Sequence, residues 1–399
     1  MTYPREFLRT FFYLRSVAKC LRYVVAGFFK DELGEATLCS PFPAIPGHPD
    51  LCNFTNPELG NSWFCGKPRK PGLSCADWKL IRDLEFTNPL PLNEAEKSLQ
   101  LQLMRHPQLL RVVKPVVSIV VNKGSSKPPW FPVPCASYWF RDTWKLGIPR
   151  GYFKFRKWIR TDCQQLDHTP TMNEVCLTNT TVVLAGDSLT LPWFDILAQR
   201  LRCNVFIKSG KTWHRKRSCI RSDIRFAMFW QHHGFPAHPL ANQWAPKSHF
   251  RSVASQIDAV PSSGRYIVVV HLYLHLTIHH YHVFLERVRS VRRATEKLIQ
   301  RNPEAIVAIK GPHTAANHTE HSPLLAGDMM GPLMREIIVS EFRSLRERVL
   351  FLDFWDMTIA AENVEVHPEP FVNHAMVNVF MDHVCGISPR RRTFPQLLR

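Results

Sequence analysis

Acyl transfer through a serine needs a hydroxyl nucleophile, a histidine to take its proton, a group to orient that histidine, and donors for the oxyanion. The sequence offers a candidate for each. Ser188 stands in Gly186-Asp187-Ser188, between the apolar run Thr181-Val182-Val183-Leu184-Ala185 and the segment Leu189 to Leu201. His367, in Val366-His367-Pro368, is the candidate base. Asp353, Asp356, Glu362 and Glu365 all precede it in one connection, and Asp356 follows the end of an apolar run. Candidate oxyanion donors are the amide of Ser188 and that of Gly234, in His232-His233-Gly234-Phe235-Pro236.

These residues need elements that bring them to one edge. The β-branched run before Gly186 predicts a buried strand, and Pro192 with Trp193, Leu197 and Leu201 at helical spacing predicts a helix after it. Gly186 suits a sharp turn between them. Arg225–Trp230, Tyr266–Val270, Ile306–Ile309 and Val349–Leu352 predict further strands. Phe284, Val288, Val291 and Leu298 mark a helix with Arg287, Arg289, Arg292 and Arg293 on or near its wet side. Helices are also expected over Leu324–Leu345 and Phe371–Val384. Alternating strands and helices from Val182 onward predict a mostly parallel sheet covered on both faces, with ligands at the carboxyl ends of its strands. That topology brings His367 near Ser188.

The first third of the chain reads differently. Residues 7–30 are apolar and aromatic but interrupted by Arg9, Arg15, Lys19 and Arg22, so neither a signal core nor a membrane span is legible. Residues 1–34 are expected to be a basic amphipathic segment that packs poorly. Residues 35–130 form a cysteine-rich stretch, loop-rich by composition. It carries a helix candidate at Leu90–Leu110, a strand candidate at Val112–Val121 and a linker at Lys123–Pro129. Residues 131–399 then make the main domain.

Eleven cysteines, with no Cys-x-x-Cys pair, argue against a structural zinc site and for disulfides, Cys20 being the odd thiol. Three glycosylation sequons start at Asn53, Asn179 and Asn317 and fit a secretory-pathway location. The net charge of +18 favours acidic partners, but the basic residues are scattered and match no nucleic-acid-binding pattern. No nucleic-acid partner is expected. In the run from His271 to His282, His271 and His275 on a strand, which the preceding valines favour, would lie roughly 13 Å apart, too far to hold one ion, whereas on a helix the same pair would fit; no metal and no cofactor are expected.

Together these residues resemble the NXPE family, the neurexophilin and PC-esterase domain proteins. The resemblance runs from Leu51-Cys52-Asn53-Phe54-Thr55 and Trp63-Phe64-Cys65, through Gly186-Asp187-Ser188, His233-Gly234 and Val288–Ala294, to Trp355-Asp356-Met357-Thr358, His367-Pro368 and Met381–Cys385. It implies an SGNH-like three-layer α/β/α domain with a mostly parallel sheet, preceded by a remnant of a neurexophilin-like region. It also implies acyl chemistry, typically acetyl, on glycans. The acid that related SGNH enzymes carry three residues before the histidine is Val364 here, which leaves Asp356 or Glu365 to orient His367. His271 and Tyr273 stand where glycine or asparagine is expected beside the oxyanion site, so Tyr273 is expected to crowd it.

The expected function is a secretory glycan acetyl esterase or O-acetyltransferase acting through Ser188 and His367 on an acylated glycan or glycoprotein. The alternatives are an inert secreted glycoprotein that binds a cell-surface partner, and a binder of anionic glycans. No transmembrane span is expected.

Overall fold

The computed structural model describes residues 25–30, 34–45, 47–56, 62–83, 133–146, 149–209, 215–233, 245–277, 281–315 and 327–385. The Leu90–Leu110, Val112–Val121 and Lys123–Pro129 expectations, Cys20, Gly234 and Asn317 lie outside these residues.

The strands are β1 (Val25–Phe29), β2 (Glu35–Ser40), β3 (Leu51–Asn53), β4 (Phe64–Gly66), β5 (Trp78–Asp83), β6 (Gly151–Lys154), β7 (Lys157–Arg160), β8 (Thr180–Gly186), β9 (Asn204–Ile207), β10 (Arg217–Arg221), β11 (Phe226–His232), β12 (Ala245–Pro246), β13 (Arg265–Val270), β14 (Ile306–Lys310) and β15 (Val349–Leu352). The helices are α1 (Phe140–Thr143), α2 (Pro170–Leu177), α3 (Leu191–Arg200), α4 (Val253–Asp258), α5 (Leu274–Thr277), α6 (Tyr281–Arg301), α7 (Gly327–Glu341), α8 (Trp355–Ala360) and α9 (Pro370–Val384).

Seven strands form the main sheet in the order β15-β14-β13-β8-β11-β10-β9. β15, β14, β13, β8 and β11 run parallel, and β10 and β9 close one edge antiparallel. The parallel strands are largely apolar because both of their faces are covered. Alternate residues divide between two cores. Val268 and Val270, Val307 and Ile309, and Val349 and Phe351 pack with α4, α6 and α7. Ile267 and Val269, Ile306 and Ala308, and Leu350 and Leu352 pack with α3 and α9. The result is the expected three-layer α/β/α architecture. Cys176–Cys385 ties α2 to the end of α9 across a sequence separation of 209, and Cys203–Cys219 and Cys135–Cys163 staple two further parts of this domain.

Three expectations are corrected or extended. First, Val25–Phe29 is neither helical nor poorly packed. It is an inner strand of a second, six-stranded sheet, β12-β5-β1-β2-β4-β3, and Phe29 is fully buried. Charges interrupt any apolar helical window there, but a strand needs only one inward face. Second, the cysteine-rich stretch is loop-rich as expected and also supplies strands β2 to β5 of that sheet. Cys39–Cys65 and Cys52–Cys75 cross-link it, and Trp63, Trp78 and Phe250 complete a small core. Since Phe250 and β12 come from downstream, the two sheets share one folded unit through that edge. Third, Arg287 is buried rather than wet. Burial pulls its guanidinium down to about 9, and it has no hydrogen-bond partner among the described residues. Arg289 and Arg292 do lie on the wet side, bonded to Glu341 and Glu296.

Candidate active site

β8 ends at Gly186, and the chain turns through a short 3-10 segment, Ser188–Thr190, into α3. The glycine is needed for space. A Cβ on Gly186 would lie 2.8 Å from the His271 carbonyl oxygen and 2.8 Å from Thr190 Cγ2. The turn is closed by Asp187, whose Oδ1 accepts from the Leu189 amide at 2.9 Å and whose carbonyl accepts from Thr190 N and Oγ1. Trp230 Nε1 donates to Thr190 Oγ1 at 2.9 Å, so neighbouring strand β11 also braces the turn.

Ser188 is left partly exposed at the carboxyl edge, and its Oγ lies 2.8 Å from His367 Nε2. That distance suits a direct proton transfer. His367 is exposed by surface area, yet surrounding atoms crowd its ring. Desolvation, and then the nearby Lys310 charge, pull its pKa below the ordinary histidine value. The imidazole is thereby kept neutral, as a base must be.

The loop that carries His367 is fixed through its main chain. His313 Nε2 lies 3.0 Å from the Val366 carbonyl oxygen. Thr314 Oγ1 donates to the Asn363 carbonyl, and Asn363 Nδ2 donates to the carbonyls of Thr314 and Glu365. Beyond His367, Asn373 Nδ2 donates to the Pro368 carbonyl at 2.7 Å.

Asp356 is not the residue that orients His367. Its Oδ2 accepts from the Arg150 amide at 2.7 Å and its Oδ1 from the Met357 amide at 2.8 Å. It ties the start of the β6–β7 hairpin to α8. Burial raises its pKa despite those bonds. Tyr273 is also placed differently from expectation. It is fully buried, and its hydroxyl donates to the His313 carbonyl at 2.8 Å, which makes it a support for the His313 loop. Asn53 and Asn179 are exposed.

Beneath the serine lies a buried set of charges. Asp187 and Lys310 are both inaccessible to solvent. Burial raises the Asp187 pKa, an effect opposed first by the Lys310 charge, and burial lowers that of Lys310. His271 joins them. Its Nδ1 lies 2.9 Å from the Lys310 carbonyl oxygen, its Nε2 is 3.5 Å from Lys310 Nζ, and the same Nε2 is 4.0 Å from Asp187 Oδ1. Burial and the Lys310 charge hold His271 and His313 well below the ordinary histidine range. Lys310 therefore acts electrostatically on Asp187, His271, His313 and His367 together. Sequence reasoning missed Lys310, His313 and Asn363. The available signal was a lysine ending a buried apolar strand, followed directly by Gly311-Pro312-His313.

A second cluster borders the same edge. β13 stops at Val270, so His271 and His275 do not share a strand. His275 sits on α5, and its Nδ1 lies 3.1 Å from His233 Nε2. With His232, one ring nitrogen from each of the three buried histidines falls within 4.8 Å of the others.

With this geometry in place, residues 158–385, more than half of the chain, match the family described as NXPE family member 4-like, C-terminal domain. The chain belongs to the NXPE family. Among solved structures it is similar to a protein from Parabacteroides merdae described as a GDSL-like lipase, at 11% identity and a TM-score of 0.30, over 52% of this chain and 96% of that one. It is also similar to Axe2, an acetylxylan esterase from Geobacillus stearothermophilus, at 10% identity and a TM-score of 0.27, over 54% of this chain and 94% of that one. Five disulfides are formed, and among the described residues no helix is long and apolar enough to cross a membrane.

Proposed function

We propose that this chain is an SGNH-like serine acyl-transfer enzyme of the secretory pathway, acting on O-acetylated glycans as esterase or acetyltransferase. The observation that carries the reading is the 2.8 Å contact between Ser188 Oγ and His367 Nε2 at the carboxyl edge of a parallel sheet. His367 takes the Ser188 proton as Oγ attacks the acetyl carbonyl. The developing oxyanion lies near the amides of the Ser188 turn, with the Lys310 charge beneath. As the tetrahedral adduct collapses, His367 returns the proton to the departing sugar oxygen, leaving acetyl on Ser188. Water or a second sugar hydroxyl, deprotonated by the same histidine, then takes the acetyl group.

Among the described residues no carboxylate is hydrogen-bonded to the His367 ring, whose side-chain contact is with Ser188. The dyad works because the bonds from His313, Thr314 and Asn363 hold the loop, and because Lys310 favours the neutral imidazole. Incubation of the purified protein with an O-acetylated sialoglycan tests the reading. Acetate release or transfer by wild type, abolished in Ser188→Ala, is expected. Equal background turnover by the two proteins would favour the inert, partner-binding glycoprotein instead.

A further inference from the structure

His232 ends β11 and His233 follows it, and His275 sits on α5, 42 residues after His233. All three are buried, and one nitrogen from each lies within 4.8 Å of the others. A buried group of three imidazoles with no alkyl spacing between its nitrogens is a costly way to fill a core, since each ring carries polar atoms that must be satisfied. It is, however, the donor set of a transition-metal site.

We infer that His232, His233 and His275 form a binding site for one zinc-class divalent ion beside the nucleophile turn. The donor atoms follow from the hydrogen bonds. His232 Nδ1 abuts the His233 carbonyl oxygen, so it carries the proton and leaves the Nε2 lone pair as donor. A backbone carbonyl on the far nitrogen is the usual outer contact that fixes the tautomer of a metal-bound histidine. His233 Nε2 and His275 Nδ1 already face each other at 3.1 Å. Two nitrogens on a tetrahedral zinc ion, each at about 2.0–2.1 Å from it, lie roughly 3.3 Å apart. The facing pair thus opens only slightly to admit the ion, while the His232 ring, stacked on His233 with centroids 4.4 Å apart, must turn out of that stack to bring its Nε2 to it. The ring that now donates between them moves its proton to its other nitrogen, so all three ligands bind as neutral imidazoles. An all-imidazole set selects zinc, copper, nickel or iron over magnesium and calcium. Three protein ligands leave one position for water.

The placement gives the ion a task. The His233 amide donates to the Gly186 carbonyl at 2.8 Å, two residues before Ser188. An ion joining β11 to α5 would therefore lock the strand end on which the nucleophile turn hangs. Zinc occupancy is independent of whether Ser188 is catalytic, so the two proposals fail separately.

The test uses the full chain, stripped with a chelator, gel-filtered and returned to zinc chloride or cobalt chloride at neutral pH. The expected result is about one zinc ion per chain by elemental mass spectrometry. A thermal midpoint raised by zinc and an intense visible absorption of tetrahedral cobalt should accompany it. His275→Asn should lose all three effects, whereas Ser188→Ala should keep them. If His275→Asn fails to fold, the cobalt spectrum of the wild type decides alone. Zinc uptake by folded wild type no greater than by His275→Asn, or a weak octahedral cobalt spectrum, overturns the inference.

Discussion

Lys310→Met tests the buried charge set under the serine. The substitution keeps the length and apolar stem of the side chain, which packs near Trp193 with its ammonium 5.8 Å from the ring centroid, and removes only the charge. Asp187 then stands as a lone carboxylate with no solvent access. Breaking a buried charge pair in contact from one side costs about 3–5 kcal/mol, an upper bound for the longer-range attraction between Lys310 and Asp187. The cost must depend on pH. Burial already raises the folded pKa of Asp187 above its unfolded value, and Lys310 opposes that rise. Without Lys310 the folded pKa climbs further. A group with a raised folded pKa binds its proton more tightly in the native state, so stability falls as pH rises from the unfolded pKa through the folded one. Lys310→Met should therefore lose most against wild type near pH 7.5 and least near pH 4.5. Thermal midpoints or denaturant midpoints at both pH values measure this. Asp187→Asn added to Lys310→Met should recover much of the loss, because it retains the oxygen that caps Leu189 and removes the charge. An equal loss at both pH values, with no recovery in the double variant, would refute the pairing.

Further outcomes follow from the same geometry. Because desolvation and Lys310 depress His367, the acid limb of kcat/KM should fall below the ordinary histidine value of 6.5, and Lys310→Met should move it upward. Asn363→Ala, which frees the His367 loop, should lower kcat about tenfold with little change in KM, as expected when a base loses its alignment. Replacing Arg287 by Met should raise the thermal midpoint, because a buried guanidinium without a partner among the described residues gives way to an apolar chain of similar length. Removing Cys176–Cys385 by Ala at both positions should cost about 5 kcal/mol on chain-entropy grounds, given the separation of 209 residues, readable as a lower denaturation midpoint.

The five parallel strands of the main sheet were legible because they are short, apolar and bounded by turns, and because residues of both parities are buried in most of them, whereas the more exposed β9 and β10 at one edge were not. Ser188 and His367 were legible for a topological reason, since both follow strands of one parallel sheet. What escaped depends on partners distant in the chain. Asp356 could not be ranked against Asp353, Glu362 and Glu365 from spacing, as its deciding partner, the Arg150 amide, lies 206 positions away. Lys310 reads locally as an exposed lysine, and the buried groups around its charge, Asp187, His271 and Trp193, are all distant in the chain. His232, His233 and His275 become a cluster only because β11 and α5 end at the same edge. Val25–Phe29 was misread because its charged surroundings hid the single inward face that a strand requires.

The central claim is that Ser188 is a nucleophile activated by His367. A fluorophosphonate, which phosphonylates activated serines, measures it directly by intact mass and peptide mapping. Wild type should gain a single adduct on the peptide containing Ser188, His367→Ala should react far more slowly, and Ser188→Ala should gain none there. A folded wild type left unlabelled at Ser188, or labelled equally fast without His367, would contradict the account.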